Sequence, residues 1–120
     1  MPLNMITKVK VISLWSEDVL RTAHFYRDVL GLKLLTHHHD TRPHFEVGGI
    51  YLVILKGKPH PAEDPEPSRF PLLAFEVRDL DAAVERLIAH EVELPWGIEE
   101  SGVSRWVMFH DPAGNLIELT

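Results

Sequence analysis

The chain contains no cysteine. Disulfides, thiolate nucleophiles and cysteine-ligated zinc are therefore excluded. Basic residues are in short supply: 12 Lys and Arg stand against 18 Asp and Glu, a net charge of -6 at pH 7. A phosphate backbone needs a basic face, so nucleic acid is disfavoured as a partner. A neutral or cationic ligand suits the balance better. Long apolar runs are also missing. Ile50–Leu55 is the longest, far below the ~20 residues that cross a bilayer. The first residues, MPLNMITK, do not open with a basic segment and an apolar stretch, so neither a signal peptide nor a membrane partner is expected. These absences make a cytoplasmic location the default expectation. What remains is ordinary for one globular domain: 120 residues, 45% hydrophobic and 25% charged. A chain of this length removes roughly two-thirds of its surface from water on folding.

A proline-rich stretch divides the chain. Gly57 to Pro71, GKPHPAEDPEPSRFP, holds five of the nine prolines. Proline fixes φ and removes a donor, so this segment is neither a central strand nor a helix interior. Before it, Lys8–Trp15 has the composition of a strand. Ser16-Glu17-Asp18 follows and suits the start of a helix. Val19, Ala23, Tyr26 and Leu30 then mark one helix face, and Gly31 sits where a helix ends in the left-handed conformation. Lys33–His38, His44–Val47 and Ile50–Leu55 are strand candidates. After the proline-rich stretch the order repeats. Leu72–Val77 reads as a strand and Asp79 as the cap of a helix with Leu80, Ala83, Val84, Leu87 and Ile88 apolar. Val92–Leu94, Val103–Phe109 and Leu116–Leu119 are strand candidates, the last two joined by a tight turn at Asp111–Asn115. A shift of 61 residues lays Asp18 on Asp79. The shared element order argues for a duplication.

Three stretches carry a resemblance to a known family: Phe25-Tyr-Arg-Asp-Val-Leu-Gly-Leu32, Ala74-Phe-Glu-Val-Arg-Asp-Leu-Asp-Ala-Ala83 and Phe109-His-Asp-Pro-Ala-Gly-Asn-Leu-Ile-Glu-Leu119. With these motifs the chain resembles the vicinal oxygen chelate superfamily, which includes glyoxalase I, extradiol dioxygenases, and fosfomycin- and bleomycin-resistance proteins. The fold this implies is α+β: two tandem βαβββ modules forming a cup-shaped mixed sheet with helices on the outside. Module 1 would cover about residues 6–57, the proline-rich linker 58–70, and module 2 about 71–120.

In metal-using members of the family, the first strand of each module supplies a His or similar ligand and the last strand a Glu or similar. Imidazole and carboxylate donors suit a divalent ion that keeps open positions for substrate oxygens. Carried onto this chain, the first-strand positions fall on Val11 and Leu72, again 61 residues apart. The last strand of the first half offers Leu52 or Val53. Glu118 is the one donor kept. Aliphatic side chains have no lone pair, so no metal and no cofactor are expected. Glu118 is then a lone carboxylate, the best candidate for a base or for pairing with a cationic ligand; its bland alternative is an inherited strand residue facing solvent. The eight histidines offer another donor set. His37, His38 and His39, with His44, could form a cluster, although a polar strand end facing water explains them as well. His24 reads as surface, and His110 lies before the final turn.

Strand alternation gives the cup lining. If Val11 is at the floor, Val11, Ser13 and Trp15 face the cup while Ile12 and Leu14 pack on the helices. In the second half Leu72, Ala74 and Glu76 face the cup while Leu73, Phe75 and Val77 pack. Trp96 and Trp106 each suit either a cup wall or the core, since indole stacks on planar ligands and attracts cations. The expected ligand-binding set is Val11, Ser13, Trp15, Leu72, Ala74, Glu76, Trp106 and Glu118.

Nearest in character to the metal-free bleomycin-resistance-like members, the chain reads as a protein that binds or sequesters an aromatic, possibly cationic compound without metal, as in antibiotic resistance, and works as a homodimer. The rival reading is a metal-dependent lyase, isomerase or dioxygenase with non-standard ligands, or a cofactor-free enzyme using Glu118 or Glu76 as base. A third is a regulatory or structural module with a vestigial cup. The residues alone leave catalysis open.

Overall fold

A computed structural model describes residues 5–35, 42–58 and 72–120. Its contacts divide the chain into two compact units, Met1–Gly57 and Lys58–Thr120. The fold is mixed α+β, with a sheet in each unit and few helices.

In the first unit, β1 (Val11–Ser16) leads into α1 (Val19–His24), which continues as a π-helical turn over Phe25–Val29. The helix begins at Asp18, whose carboxylate accepts from the Arg21 N–H at 3.1 Å. Ser16 does not cap it. Ser16 ends β1, buried, and its hydroxyl accepts from the Asp18 N–H and lies 2.8 Å from the Thr22 hydroxyl, also buried. This small polar cluster ties strand end to helix start with its donors and acceptors satisfied. Gly31 takes a φ of 75°, and the Leu32 N–H donates to the Tyr26 carbonyl at 2.9 Å, so the helix ends at the expected glycine. β2 (His44–Val47) and β3 (Ile50–Lys56) form a hairpin around Gly48-Gly49, both with positive φ, as a two-residue type I′ turn requires. The strand order is β1-β3-β2, with β1 parallel to β3. Of the strand expected over Lys33–His38, the described part contributes a single bridge, Leu34 to Phe45; its remainder lies outside the described residues.

One face of this sheet is covered by α1. Val19, Ala23 and Tyr26 from the helix are buried with Phe45, Leu52 and Ile54 from the sheet. Tyr26 and Phe45 rings stand 6.1 Å apart.

In the second unit, β4 (Leu73–Phe75) precedes α2 (Leu80–Ala89), then β5 (Ile98–Ser101), β6 (Ser104–His110) and β7 (Leu116–Leu119). The order is β4-β7-β6-β5, with β4 parallel to β7 and the other pairs antiparallel. Asp79 caps α2 by accepting from the Ala82 N–H at 3.0 Å. Leu87, Val107, Phe109, Ile117 and Leu119 are buried on the helix side. Ile88, expected on the apolar stripe, is 61% exposed; the stripe is narrower than the sequence suggests, and Leu87 is its buried member. The helix ends in a Schellman motif: the Val92 N–H donates to the Leu87 carbonyl and the Glu91 N–H to the Ile88 carbonyl, both at 2.9 Å. The left-handed position is Glu91, with φ 60°.

The strand expected at Val92–Leu94 is not formed. Pro95 follows it, and Gly97 turns the chain with φ 62° and donates to the Leu94 carbonyl. Pairing starts only beyond this turn, at Ile98. β5 is a sheet edge bearing Glu99 and Glu100, and charge at an edge is what hid it from a search for apolar runs. The turn between β6 and β7 forms as expected. Buried Asp111 accepts from the Ala113 and Asn115 N–H groups and from the Asn115 amide, at 2.9–3.0 Å.

Candidate functional site

The face of each sheet turned away from its helix collects most of the residues singled out by sequence. Along β1 burial alternates, with Val11, Ser13 and Trp15 exposed and Ile12, Leu14 and Ser16 more covered. Pairing sets Val11 beside Tyr51, Ser13 beside Val53 and Trp15 beside Leu55. On β2, His44 and Glu46 join this face. The His44 Nδ1 lies 2.8 Å from the Arg42 carbonyl, and its ring stands 6.4 Å from that of Tyr51. Trp15 is 49% exposed. Its indole lies against Gly57, where a Cβ would come within 2.7 Å of the ring. His37, His38 and His39 lie outside the described residues.

On the second sheet Ala74 pairs with Glu118, and Glu118 with Met108. Trp106 and His110 lie on the same face by alternation along β6. Glu99 lies directly opposite Trp106. Leu72 and Glu76 flank β4 and are exposed rather than paired in it. The Trp96 ring stands 6.2 Å from that of His110, so Trp96 sits near the His110 end of β6 and is not a core residue.

The two pairings resolve the position left open in the first half. Ser13 and Ala74 are equivalent under the 61-residue shift. Ser13 pairs with Val53, and Ala74 with Glu118. Val53 is therefore the counterpart of Glu118, while Leu52 packs on the helix side. By the family resemblance, the four positions that would hold a divalent ion are Val11, Val53, Leu72 and Glu118. Three of them have no donor atom, so the donor set does not fit a metal. Among the described residues no group of three or more His, Asp or Glu is placed to hold one.

No Lys or Arg of strands β4–β7 lies on the face of the second sheet turned away from its helix. The cation closest in sequence, Arg105, faces the other way. It binds Asp81 of α2 at 2.9 Å and Glu100 at 3.2 Å. Hydrogen bonding and charge from Arg105 hold the Asp81 carboxyl below the usual carboxylate range, and the Asp81 partner raises Arg105 in turn. Sequence reasoning missed Glu99 and Met108 on this face. The signal was the hairpin turn at Gly102-Val103, which pairs Ser101 with Ser104 and so sets Glu99 against Trp106.

Residues 8–119 match the Glyoxalase/Bleomycin resistance protein/Dioxygenase superfamily. The chain belongs to this superfamily. Among its relatives, the Escherichia coli (strain K12) protein YaeR is 30% identical over 95% of both chains. Among solved structures, TnmS3, an antibiotic binding protein from Streptomyces sp. CB03234, is 26% identical with a TM-score of 0.73, covering 97% of this chain and 96% of its own. A lactoylglutathione lyase from Agrobacterium tumefaciens has a TM-score of 0.75 at 22% identity, covering 97% and 94%; at that identity the likeness shows the fold alone. The same fold thus occurs in an antibiotic binding protein and in a lyase, and fold alone does not decide function. No helix among the described residues is long and apolar enough to cross a membrane.

Proposed function

We propose that this superfamily member binds a planar, aromatic, cationic small molecule without a metal ion. The observation that carries the reading is the composition of the second sheet's face away from its helix: Trp106 and Glu118 lie on it with Ala74 and Met108, and no Lys or Arg of strands β4–β7 shares that face. An indole offers stacking area and attraction to a cation, and a carboxylate without a cationic neighbour on its face complements positive charge. Val11, Val53 and Leu72 support the metal-free part, because a divalent metal ion bound by Glu118 alone would keep its hydration shell and not be held. On the first sheet, Trp15 with Val11 and Ser13 supplies a second aromatic, apolar surface. The likeness to an antibiotic binding protein agrees with a sequestering role. The test is a thermal-shift titration with 9-aminoacridine and proflavine, with and without EDTA. Binding to the native state alone raises the melting temperature, and the rise should not depend on chelator. Stoichiometric divalent metal in natively purified protein, together with no response to planar cations, would select the metal-dependent enzyme instead.

We further propose that the working form is a homodimer in the cytoplasm. The long proline-rich segment from Gly57 to Pro71 supports this as a spacer between the halves. Sedimentation at micromolar concentration should give twice the chain mass; a monomer would overturn it.

A further inference from the structure

The Oε1 atom of Glu99 is the one buried side-chain polar atom without a hydrogen-bond partner among the described residues. Buried acceptors are nearly always paired, because an unpaired one costs roughly 1–3 kcal/mol, and more when charged. Nothing in the neighbouring sequence forces this loss. Glu100, one residue on, is paired with Arg105 at 3.2 Å. Strand alternation sends that pair to the helix face, where Asp81 also meets the guanidinium, and leaves Glu99 on the opposite face with Trp106. Directly opposed residues of an antiparallel pair have Cβ atoms about 4.5–5.5 Å apart. The carboxylate therefore stands beside the indole, and the strands of this face bring no Lys or Arg to it.

We propose that Glu99 is the charge-reading residue of the second open face: it accepts a hydrogen bond from a protonated nitrogen of a planar ligand whose rings stack on Trp106. The ligand class is an aromatic amine or amidine that carries N–H⁺ at neutral pH. An indole and a carboxylate side by side satisfy both parts of such a molecule, the rings by stacking and the cation by a charge-assisted hydrogen bond. The unpaired oxygen is closed to solvent in the free protein, and it becomes the ligand's acceptor as the Glu99 side chain turns toward the stacked rings. This inference rests on the aromatic-binding reading above and adds the residue that selects for charge.

The experiment compares 9-aminoacridine, a cation at neutral pH, with acridine, a neutral ring system of the same outline, by calorimetric titration of the wild-type chain and Glu99→Gln. Melting temperatures of both proteins are measured without ligand. The wild type should prefer the cation. Glu99→Gln should bind 9-aminoacridine roughly tenfold or more weakly, the scale of a hydrogen bond to a charged group, with acridine unchanged. Without ligand its melting temperature should stay the same or rise, since an amide replaces an unpaired carboxylate. A fall in melting temperature would mean that Glu99 serves the fold, and would overturn the proposal even if affinity also fell. Equal wild-type affinity for the two probes would overturn the role of Glu99 and leave aromatic binding standing. Binding of neither probe would overturn both.

Discussion

Val53 holds in the first sheet the register position that Glu118 holds in the second: each pairs with a residue, Ser13 or Ala74, and these two lie 61 residues apart. The two sheets thus share this pairing, with an aliphatic side chain at the position in one and a carboxylate in the other. With Val11 and Leu72 also aliphatic, the proposed metal-free reading makes stability independent of chelation. EDTA should leave the melting temperature unchanged within error, and a drop of several degrees would show a metal bound by donors other than these.

Trp15 stands half-exposed on the open face, whereas Phe109 is fully buried between helix and sheet. Phe109→Ala should cost about 3–5 kcal/mol in denaturant unfolding, the usual result of emptying an aromatic core site. Trp15→Ala should cost much less stability, and Trp106→Ala should weaken 9-aminoacridine binding by about 1–3 kcal/mol, taking base stacking on aromatic side chains as the scale. Equal destabilisation by Phe109→Ala and Trp15→Ala would mean that Trp15 belongs to the core. Phe75, facing the helix side but only half-buried, would be a poorer core reference than the sequence suggests.

The Asp81–Arg105 pair gives a dependence on pH whose sign is fixed. Asp81 has a lowered pKa in the folded chain because Arg105 bonds its charged form. Its contribution is therefore complete above the ordinary carboxylate pKa and is lost as pH falls through the lowered folded value. Both side chains are well exposed, so the effect is small. Asp81→Asn should flatten the acid limb of the stability profile and leave stability at pH 7 nearly unchanged. An identical acid limb in the variant would show that the pair contributes nothing.

Glu91 occupies the left-handed position of the Schellman motif ending α2. For an L residue with a Cβ this conformation is unfavourable by roughly 1–2 kcal/mol, and glycine is the residue that accepts it. Glu91→Gly should raise stability by about 1 kcal/mol in urea unfolding. A loss would show that the Glu91 side chain makes a contribution larger than the backbone relief.

The sequence by itself determined the places of both helices, the helix start at Asp79, the helix end at Gly31 and the turn at Asp111–Asn115. Each is set by local chemistry: a carboxylate that meets free N–H groups, or a glycine that reaches positive φ. It also determined which face of β1 is open, because a period of two fixes every side chain once one is placed. Three motifs in order identified the superfamily. Other features depended on contacts between segments distant in the chain, and only the tertiary structure decided them. Leu52 and Val53 are chemically alike, so only their pairing with β1 tells which faces away from the helix. Val92–Leu94 has a strand's composition, but Pro95 and Gly97 delay pairing to Ile98, and whether an edge pairs depends on what lies beside it. Ser16 looks like a helix cap until Thr22 is seen to share its burial. Glu99 reads as one acid among many; its unpaired oxygen exists because the β5–β6 register turns Arg105 to one face and Glu99 to the other, a separation no local rule contains.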